Sequence, residues 1–183
     1  MRVITGTARG VRLKTPEGLL TRPTSERVKE AVFSIIQFEV EGSRVLDLFA
    51  GTGQMGIEAL SRGAAGAVFV DERWDACQLV RENLKRTRLA EKAQVVQADF
   101  LTYLKSCRTT FDLIFLDPPY REDFLENALN SISEIDILSD RGIIICERPV
   151  EKGLEGTFSG LARGKDYRYG KTWITLFRKG WTP

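Results

Sequence analysis

The residues with the clearest chemical potential are four acids that fall within or just after apolar segments. Asp47 lies in the segment 45–49, and Asp71, Asp99 and Asp117 follow or end later apolar runs. In an open α/β sheet, ligands bind outside the carboxyl ends of the strands, where each carboxylate can accept hydrogen bonds. Capping of the following helix explains a single acid equally well. The recurrence of acids at these positions favours a shared ligand site.

The segment 117–120, Asp-Pro-Pro-Tyr, indicates a site that holds a planar amine. Pro118 and Pro119 remove two N–H donors, so nearby carbonyl groups face a ligand as acceptors beside the Asp117 carboxylate. Such acceptors bind the hydrogens of an exocyclic amine and leave its lone pair directed at a methyl donor. Tyr120 offers a face on which an unstacked base can lie. The structural alternative is a strand-ending turn with a packed tyrosine.

A glycine turn follows the first of these apolar segments. Residues 47–53 read Asp-Leu-Phe-Ala-Gly-Thr-Gly, and a helical pattern begins at about Gln54. Gly51 and Gly53 permit a tight turn and a close approach of the backbone to a ligand, for which phosphate is one candidate. A tight strand-to-helix turn that binds nothing is equally consistent with these two glycines alone.

Apolar runs alternate with helical patterns along most of the chain, which predicts a doubly wound, mostly parallel α/β sheet. The predicted strands lie at about 45–49, 67–71, 93–97, 111–116 and 142–146. The first predicted helix follows Pro23 and ends near Glu41, with an apolar face at 28–36. A second begins at about Gln54, two more lie at about 74–88 and 122–135, and a short one follows Asp99. Residues 161–169 and 171–177 surround Gly170 and predict a C-terminal antiparallel hairpin.

The two ends of the chain are basic, although the net charge is only +2. Residues 1–22 hold five basic residues and one acid, and residues 160–183 hold six basic residues and one acid. Residues 1–16 predict a small basic hairpin, so we divide the chain into a hairpin appendage (1–22) and a main domain (23–183). Basic ends on an acidic body suggest a bound polyanion; solvated surface charge is the alternative.

Length and composition restrict the class of protein. The 183 residues suffice for one domain with a small appendage, and no apolar run approaches the roughly 20 residues of a membrane span. There is no histidine, and the three cysteines (Cys77, Cys107 and Cys146) are far apart. We therefore expect a cytoplasmic, monomeric protein with reduced, buried thiols and no bound metal.

These motifs resemble class I S-adenosylmethionine-dependent methyltransferases. The spacing Asp-x-Phe-x-Gly-x-Gly is similar to their first motif, and Asp-Pro-Pro-Tyr resembles the motif of enzymes that methylate exocyclic amines of bases. The N-terminal third is similar to the bacterial RsmD family in Arg2-Val3-Ile4-x-Gly6, in Gly10 and Leu13, and in the segment 22–33. This family methylates guanine N2 in 16S ribosomal RNA. The resemblance implies a Rossmann-like fold and this activity.

The resemblance also implies a role for individual residues. The cofactor S-adenosylmethionine, released as S-adenosylhomocysteine, would contact Arg22, Thr24, Asp47, Phe49, Gly51, Gly53, Asp71, Asp99 and Phe100. Within this set, Asp71 would bind the ribose and Asp99 the adenine. The guanine would be held by Asp117, Pro118 and Tyr120, and RNA phosphates would meet Arg2, Arg9, Arg12 and Lys14.

Three hypotheses follow from the sequence. The first is a 16S rRNA guanine-N2 methyltransferase that acts on free RNA, on a small ribosomal subunit or on an assembly intermediate. The second is a DNA adenine-N6 methyltransferase, although the chain has no obvious separate target-recognition domain. The third is a non-catalytic RNA-binding factor in ribosome assembly, against which the intact acids and the Asp-Pro-Pro-Tyr segment argue.

Overall fold

One seven-stranded sheet organises the chain. The computed structural model describes residues 1–16, 23–119 and 123–180, and of residues 23–25 it describes the backbone alone. The strands are β1 (Arg44–Asp47), β2 (Gly66–Asp71), β3 (Ala93–Gln97), β4 (Phe111–Leu116), β5 (Leu138–Pro149), β6 (Leu161–Tyr169) and β7 (Thr172–Lys179). The helices are α1 (Pro23–Ile35), α2 (Gln54–Ser61), α3 (Trp74–Thr87), α4 (Phe100–Ser106) and α5 (Phe124–Ile135), with a 3-10 turn at Ala90–Lys92.

The strand order is β3-β2-β1-β4-β5-β7-β6. Strands β1 to β5 pair in parallel, and β7 pairs antiparallel with both β5 and β6. The predicted doubly wound sheet with an antiparallel C-terminal hairpin is therefore confirmed. The order reverses at β1, so the crevice beyond the carboxyl ends of β1 and β4 is the expected ligand site of such a sheet.

Three elements differ in extent from their predictions. Helix α1 ends at Ile35 rather than near Glu41. Strand β5 was expected at 142–146 but runs from Leu138 to Pro149, because β4 pairs with its beginning and β7 pairs with its end. A register shift between Phe111 and Leu113 accommodates the early start. Helix α5 begins at Phe124 rather than at about 122, and Asp123 precedes it with a positive φ of 70°.

The core has two layers, one on each face of the sheet. Helices α1, α2 and α3 cover one face, where Phe115 and Ile145 are buried. Helices α4 and α5 cover the other, where Leu116 and Cys146 are buried. This alternation is the period of two that a strand imposes on its side chains. Cys77 and Cys107 are buried as well, as predicted for the thiols.

The N-terminal hairpin forms as predicted, with an antiparallel bridge between Arg2 and Arg12. It packs closely on α2, because Val3, Ala8 and Leu13 belong to the core layer of that face. The backbone N–H groups of Ile4 and Thr5 donate to the Glu58 carboxylate at 2.8 and 3.0 Å. The hairpin is thus attached to the main fold along its length.

A buried ion cluster connects the hairpin to helices α1 and α2. Glu58 is fully buried and pairs with Lys29 at 3.4 Å and with Arg62 at 2.8 Å. The Lys29 ammonium also donates to the Arg2 carbonyl at 2.7 Å. Burial lowers the pKa of Lys29, and the neighbouring Glu58 charge opposes that shift. A cluster of this kind leaves an uncompensated buried charge if one member is removed, so it fixes the arrangement strongly.

The described residues contain neither a candidate membrane span nor a candidate metal-binding group. None of the helices there is long and apolar enough to cross a membrane. No group of three or more acidic, cysteine or histidine residues in the same part of the chain could hold a metal ion.

Candidate active site

A cleft of about 400 Å³ lies at the carboxyl ends of the first four strands. Its volume falls within the range of small-molecule sites. The lining includes five of the nine predicted cofactor residues, together with Asp117 and neighbours that were not predicted. The lining comprises Pro16, Leu48, Phe49, Gly51, Thr52, Asp71, Glu72, Arg73, Ala98, Asp99, Phe100, Asp117, Pro119 and Phe124.

The glycine turn is held in place by two of the predicted acids. The Gly51 N–H donates to Asp71 Oδ2 at 2.9 Å, and the Gly56 N–H donates to Asp47 Oδ2 at 3.0 Å. Gly51 and Gly53 have φ angles of 53° and 75°, which side chains rarely adopt. A Cβ on Gly53 would lie 3.2 Å from Val80, whereas one on Gly51 would meet nothing closer than 4.0 Å.

Asp47 lies beneath the cleft rather than in its lining. It ends β1, is only 4% exposed, and accepts the hydrogen bond from Gly56. Burial raises its pKa to about 7, and the negative charges of Asp117 and Asp71 add to this rise, while the Gly56 hydrogen bond opposes it. Gly53 is also buried behind the lining. Asp47 and Gly53 therefore shape the turn, and Gly51 is the glycine that faces the cleft.

The other two predicted cofactor acids lie at or just after the ends of the neighbouring strands β2 and β3, and both line the cleft. Asp71 ends β2 and accepts hydrogen bonds from the backbone of Gly51 and Arg73. Asp99 caps α4, because its carboxylate accepts from the Thr102 N–H at 3.0 Å. The capping alternative is thus correct for Asp99, whose Oδ1 atom accepts this hydrogen bond. Its exposed carboxylate also lines the cleft, so the cap leaves it accessible to a ligand.

Three phenylalanines form an apolar wall beside these acids. The ring centroids of Phe49 and Phe100 are 5.0 Å apart, and those of Phe100 and Phe124 are 5.2 Å apart. Phe100 is buried and Phe49 is half-buried. Aromatic clusters of this kind offer a flat surface to a planar ring and exclude water from it.

Asn83, a residue of α3, braces the cleft from behind. Its side-chain N–H donates to the Thr52 carbonyl at 2.9 Å and to the Lys14 carbonyl at 3.1 Å. Its oxygen accepts from the Lys14 N–H at 2.7 Å. Asn83 is fully buried, so these three bonds satisfy its amide where water cannot. The glycine turn and the end of the basic hairpin are thus joined through one side chain.

A second cavity of about 280 Å³ opens on the other side of the Asp-Pro-Pro segment. Pro119 lines both cavities, Asp117 lines the cleft, and Pro118 lines the second cavity. Pro119 therefore forms part of the wall of both spaces. The second cavity is lined by Pro118, Pro119, Asp123, Leu125, Glu126, Glu147, Arg148, Pro149, Lys152, Gly153 and Leu154.

A carboxylic acid lines each cavity: Asp117 lines the cleft, and Glu147 lines the second cavity. Asp117 has exposed surface in the open cleft, yet protein atoms surround it, and the resulting desolvation raises its pKa. Desolvation likewise raises the pKa of Glu147, and the charge of Asp117 adds to that rise. Each acid thus makes ionisation of the other less favourable, which is the behaviour of two carboxylates that share one site.

The predicted RNA-binding residues lie on the hairpin surface. The side chains of Arg2, Arg9, Arg12 and Lys14 are all exposed. Lys14 pairs with Glu82 at 2.6 Å, and Arg2 approaches Glu26 at 3.7 Å. Arg9 and Arg12 form no ion pair with any of the described residues. These two arginines are therefore the hairpin charges most accessible to a polyanion.

Three predicted site residues cannot be placed side by side with the others. Arg22 and Tyr120 lie outside the described residues, and Thr24 lies in α1 with only its backbone described. Asp71, Asp99, Asp117, Phe49, Phe100 and Gly51 do come together around one cleft.

Sequence reasoning missed Asn83 and Glu147. Asn83 falls among the buried positions of α3 (Val80 and Leu84 flank it), and an amide in an apolar helical stripe was a usable signal. Glu147 follows the apolar run of β5 just as the other acids follow theirs. The rule that identified Asp71 and Asp117 would have found it as well.

Comparison with known proteins places this geometry in a family. The family model described as "Conserved hypothetical protein 95" matches residues 1–178. YlbH of Bacillus subtilis (strain 168), provisionally named an rRNA methyltransferase, is 42% identical over 182 residues, 98% of this chain and 99% of that protein. Ribosomal RNA small subunit methyltransferase D of Escherichia coli (strain K12) is 36% identical over 154 residues, 84% of this chain and 77% of that protein.

A solved structure shows the same fold. The structure of yhhF from Escherichia coli, provisionally named a methyltransferase, matches with a TM-score of 0.88 and 34% identity, over 98% of this chain and 97% of that one. The Rossmann-like class I methyltransferase fold predicted from the sequence is thereby confirmed. The chain belongs to the Conserved hypothetical protein 95 family, which is the RsmD family that its N-terminal third resembles.

Proposed function

We propose that the protein transfers a methyl group from S-adenosylmethionine to the exocyclic N2 amine of a guanine in small-subunit (16S) ribosomal RNA. The observation that carries this proposal is that two cavities share Pro119 as a wall, with Asp117 lining one and Pro118 lining the other. One cavity has the acids and aromatic wall suited to a nucleoside cofactor. The other is bounded by the proline pair that follows Asp117. A methyl donor and an amine acceptor would then approach each other at the Asp117 carboxylate.

The cleft fits the proposed cofactor in three respects. Gly51 presents open space on the cleft side of the turn, so a ligand can approach the backbone there. Asp71 and Asp99 offer carboxylate oxygens suited to ribose hydroxyls and to an adenine amine. The wall of Phe49, Phe100 and Phe124 suits the adenine ring. The acidic lining also suits a positively charged sulfonium.

The reaction requires positioning more than a strong base. The cofactor supplies an electrophilic methyl group: the N2 lone pair forms the new N–C bond, and the electron pair of the S–C bond returns to sulfur. Asp117 would accept a hydrogen bond from the N2 amine and orient its lone pair. Asp117, or water in the open cleft, would then take the proton that the methylated amine releases. Preorganised acceptors of this kind cost no reorganisation during the reaction.

The proposed RNA contact involves the hairpin. Arg9 and Arg12 are exposed on a surface that Asn83 joins to the glycine turn through the Lys14 backbone. Phosphate contacts there would orient the RNA without reading its sequence. The named relatives act on ribosomal RNA, which favours this partner over duplex DNA. We predict that the protein is a cytoplasmic monomer. We also predict that it binds free RNA or an assembling subunit.

The test is transfer of a labelled methyl group from S-adenosylmethionine to three substrates: 16S rRNA from cells that lack the protein, the small subunits of those cells, and duplex DNA. We expect label in RNA or subunits, at the N2 atom of one guanine after digestion to nucleosides. Label at adenine N6 in DNA would support the second hypothesis instead. RNA binding with no label in any substrate would support the non-catalytic assembly factor.

A further inference from the structure

Glu147 is a half-buried acid that the methyl transfer described above does not use. It lies near the end of β5 and lines the second cavity together with Pro118 and Pro119. Among the described residues, its carboxylate accepts no hydrogen bond and forms no ion pair. Both oxygens of this acid are thus available in the cavity to accept hydrogen bonds from a ligand.

The sheet places Glu147 beside Asp117. Strands β4 and β5 are parallel neighbours in which Leu116 pairs with Cys146, so the next residues of the two strands follow side by side. Phe115 and Ile145 face the same core layer, and the alternation of a strand puts Asp117 and Glu147 on that face too. The electrostatic effect of Asp117 on Glu147 agrees with this closeness.

The neighbouring arginine does not neutralise Glu147. Arg148 also lines the second cavity, but its guanidinium donates to the Lys152 carbonyl at 2.6 Å and to Thr175 and Asp166 at 3.3 Å each. Its charge is thereby committed to Asp166. Glu147 therefore lines the cavity without an ion pair to Arg148.

Guanine offers hydrogen-bond donors to these two acids, which as carboxylates can only accept hydrogen bonds. Guanine carries an N1–H donor next to its N2 amine, so it presents two adjacent donors to a carboxylate. Adenine carries an N1 acceptor there, which a carboxylate repels. Two donors also compensate the repulsion between the two neighbouring acids, because hydrogen bonds to the charged form favour ionisation.

We propose that Glu147 selects guanine by accepting hydrogen bonds from its N1–H and from one hydrogen of its N2 amine, while Asp117 holds the other amine hydrogen. This inference rests on the proposed function, since it names the residue that sets base specificity at the same site. Glu147 would thus fix the plane of the base and expose the N2 lone pair toward the cofactor cleft. A paired contact of this kind discriminates between bases by roughly 1–3 kcal/mol, or about 5- to 150-fold.

The test compares two target bases in an RNA fragment of the substrate: guanine and 2,6-diaminopurine. Both carry an N2 amine, but 2,6-diaminopurine has an acceptor at N1 in place of the donor. The parent enzyme should prefer guanine in kcat/KM by about 10- to 100-fold. In Glu147→Gln, the side-chain amide can donate to the N1 acceptor, so we expect this preference to fall at least tenfold and methylation of the 2,6-diaminopurine RNA to rise.

A purely structural role for Glu147 would lower both rates by the same factor, and that result would overturn the proposal. An unchanged guanine preference in Glu147→Gln would overturn it as well. Glu134→Gln is the matched control, since Glu134 is an exposed acid of α5 that lines neither cavity and should leave the preference unaltered. S-adenosylmethionine affinity, measured by calorimetry, should be the same in all three proteins and reports that the cleft is intact. If the parent itself methylates no guanine, the proposed function fails, whereas an active parent with an unaltered preference in the variant rejects only the role of Glu147.

Discussion

The side chain of Asn83 donates a hydrogen bond of 2.9 Å to the carbonyl of Thr52, in the middle of the glycine turn. Through its other bonds the same amide holds both the N–H and the carbonyl of Lys14. The segment that carries the basic hairpin residues and the turn that faces the cleft are therefore fixed relative to each other. A displacement of one should be transmitted to the other.

We expect Asn83→Leu to weaken binding of S-adenosylmethionine. The isosteric leucine leaves the Thr52 carbonyl and the Lys14 groups without their partner, at a cost of about 1–3 kcal/mol for each buried group that stays unsatisfied. Calorimetry would measure the affinity and urea unfolding the stability. Thr87→Val is the control: Thr87 is buried on the same helix and bonds only to the α3 backbone. It should lose stability but keep its cofactor affinity. Equal affinities in parent and Asn83→Leu would contradict the bracing role.

Gly51 and Gly53 should respond differently to substitution by alanine. A methyl group on Gly51 enters open space on the cleft side, so Gly51→Ala should weaken cofactor binding and cost only about 1–2 kcal/mol of stability for its positive φ. On Gly53 the methyl group lies 3.2 Å from Val80, so Gly53→Ala should mainly lose stability. Calorimetry and thermal unfolding on both variants separate these outcomes. If Gly53→Ala lost more cofactor affinity and less stability than Gly51→Ala, Gly53 would be the glycine that faces the cofactor.

Most of the fold could be predicted from local patterns. The alternation of apolar and helical segments fixed the parallel sheet, and Gly170 marked the C-terminal hairpin. The extent of β5 could not be predicted, because its ends are set by pairing with β7, a partner distant in sequence. The attachment of the hairpin also depends on a distant residue, Glu58, whose burial no local pattern reveals.

The candidate site was predictable where the chemistry repeats. Acids at strand ends identified Asp71, Asp99 and Asp117, which the topology then gathers around one cleft. The same pattern did not separate Asp47, which supports the turn from beneath, from the acids that face the ligand. Depth below a surface is a tertiary property, so only the packing of α2 over β1 decides it.

The stability of the ligand-free protein should depend on pH through Asp47. The pKa of Asp47 is about 7 in the fold, against 3.8 for an unperturbed carboxyl group, so the folded state binds the proton more tightly than the unfolded chain. This contribution to stability is complete below pH 3.8 and is lost as the pH rises through about 7. Asp47→Asn keeps an acceptor for Gly56 and has no such loss. Relative to the parent, it should gain up to about 4 kcal/mol between pH 4 and pH 8 in urea unfolding. A difference that stays constant with pH would contradict the raised pKa.

The hairpin arginines should contribute to RNA affinity more than Lys14 does. The logarithm of the RNA-binding constant falls linearly with the logarithm of the salt concentration. Replacing Arg9 and Arg12 by alanine should make this slope shallower by about 0.7–0.9 for each lost phosphate contact. Lys14→Ala should change the slope less, because Glu82 already pairs with that ammonium. Filter binding at several salt concentrations measures both slopes. If the double variant kept the parental slope, the hairpin would be a solvated surface only.

The most direct test of the central claim is the single-turnover rate of methyl transfer in Asp117 variants, measured on the RNA substrate with S-adenosylmethionine affinity determined in parallel. If Asp117 orients the guanine amine, Asp117→Ala should bind the cofactor nearly as the parent does and transfer the methyl group about 10²–10³ times more slowly. Asp117→Asn retains one acceptor without the charge, so its rate should lie between the two. A rate in Asp117→Ala within about threefold of the parent would contradict the account, and residues 117–119 would then be only a turn.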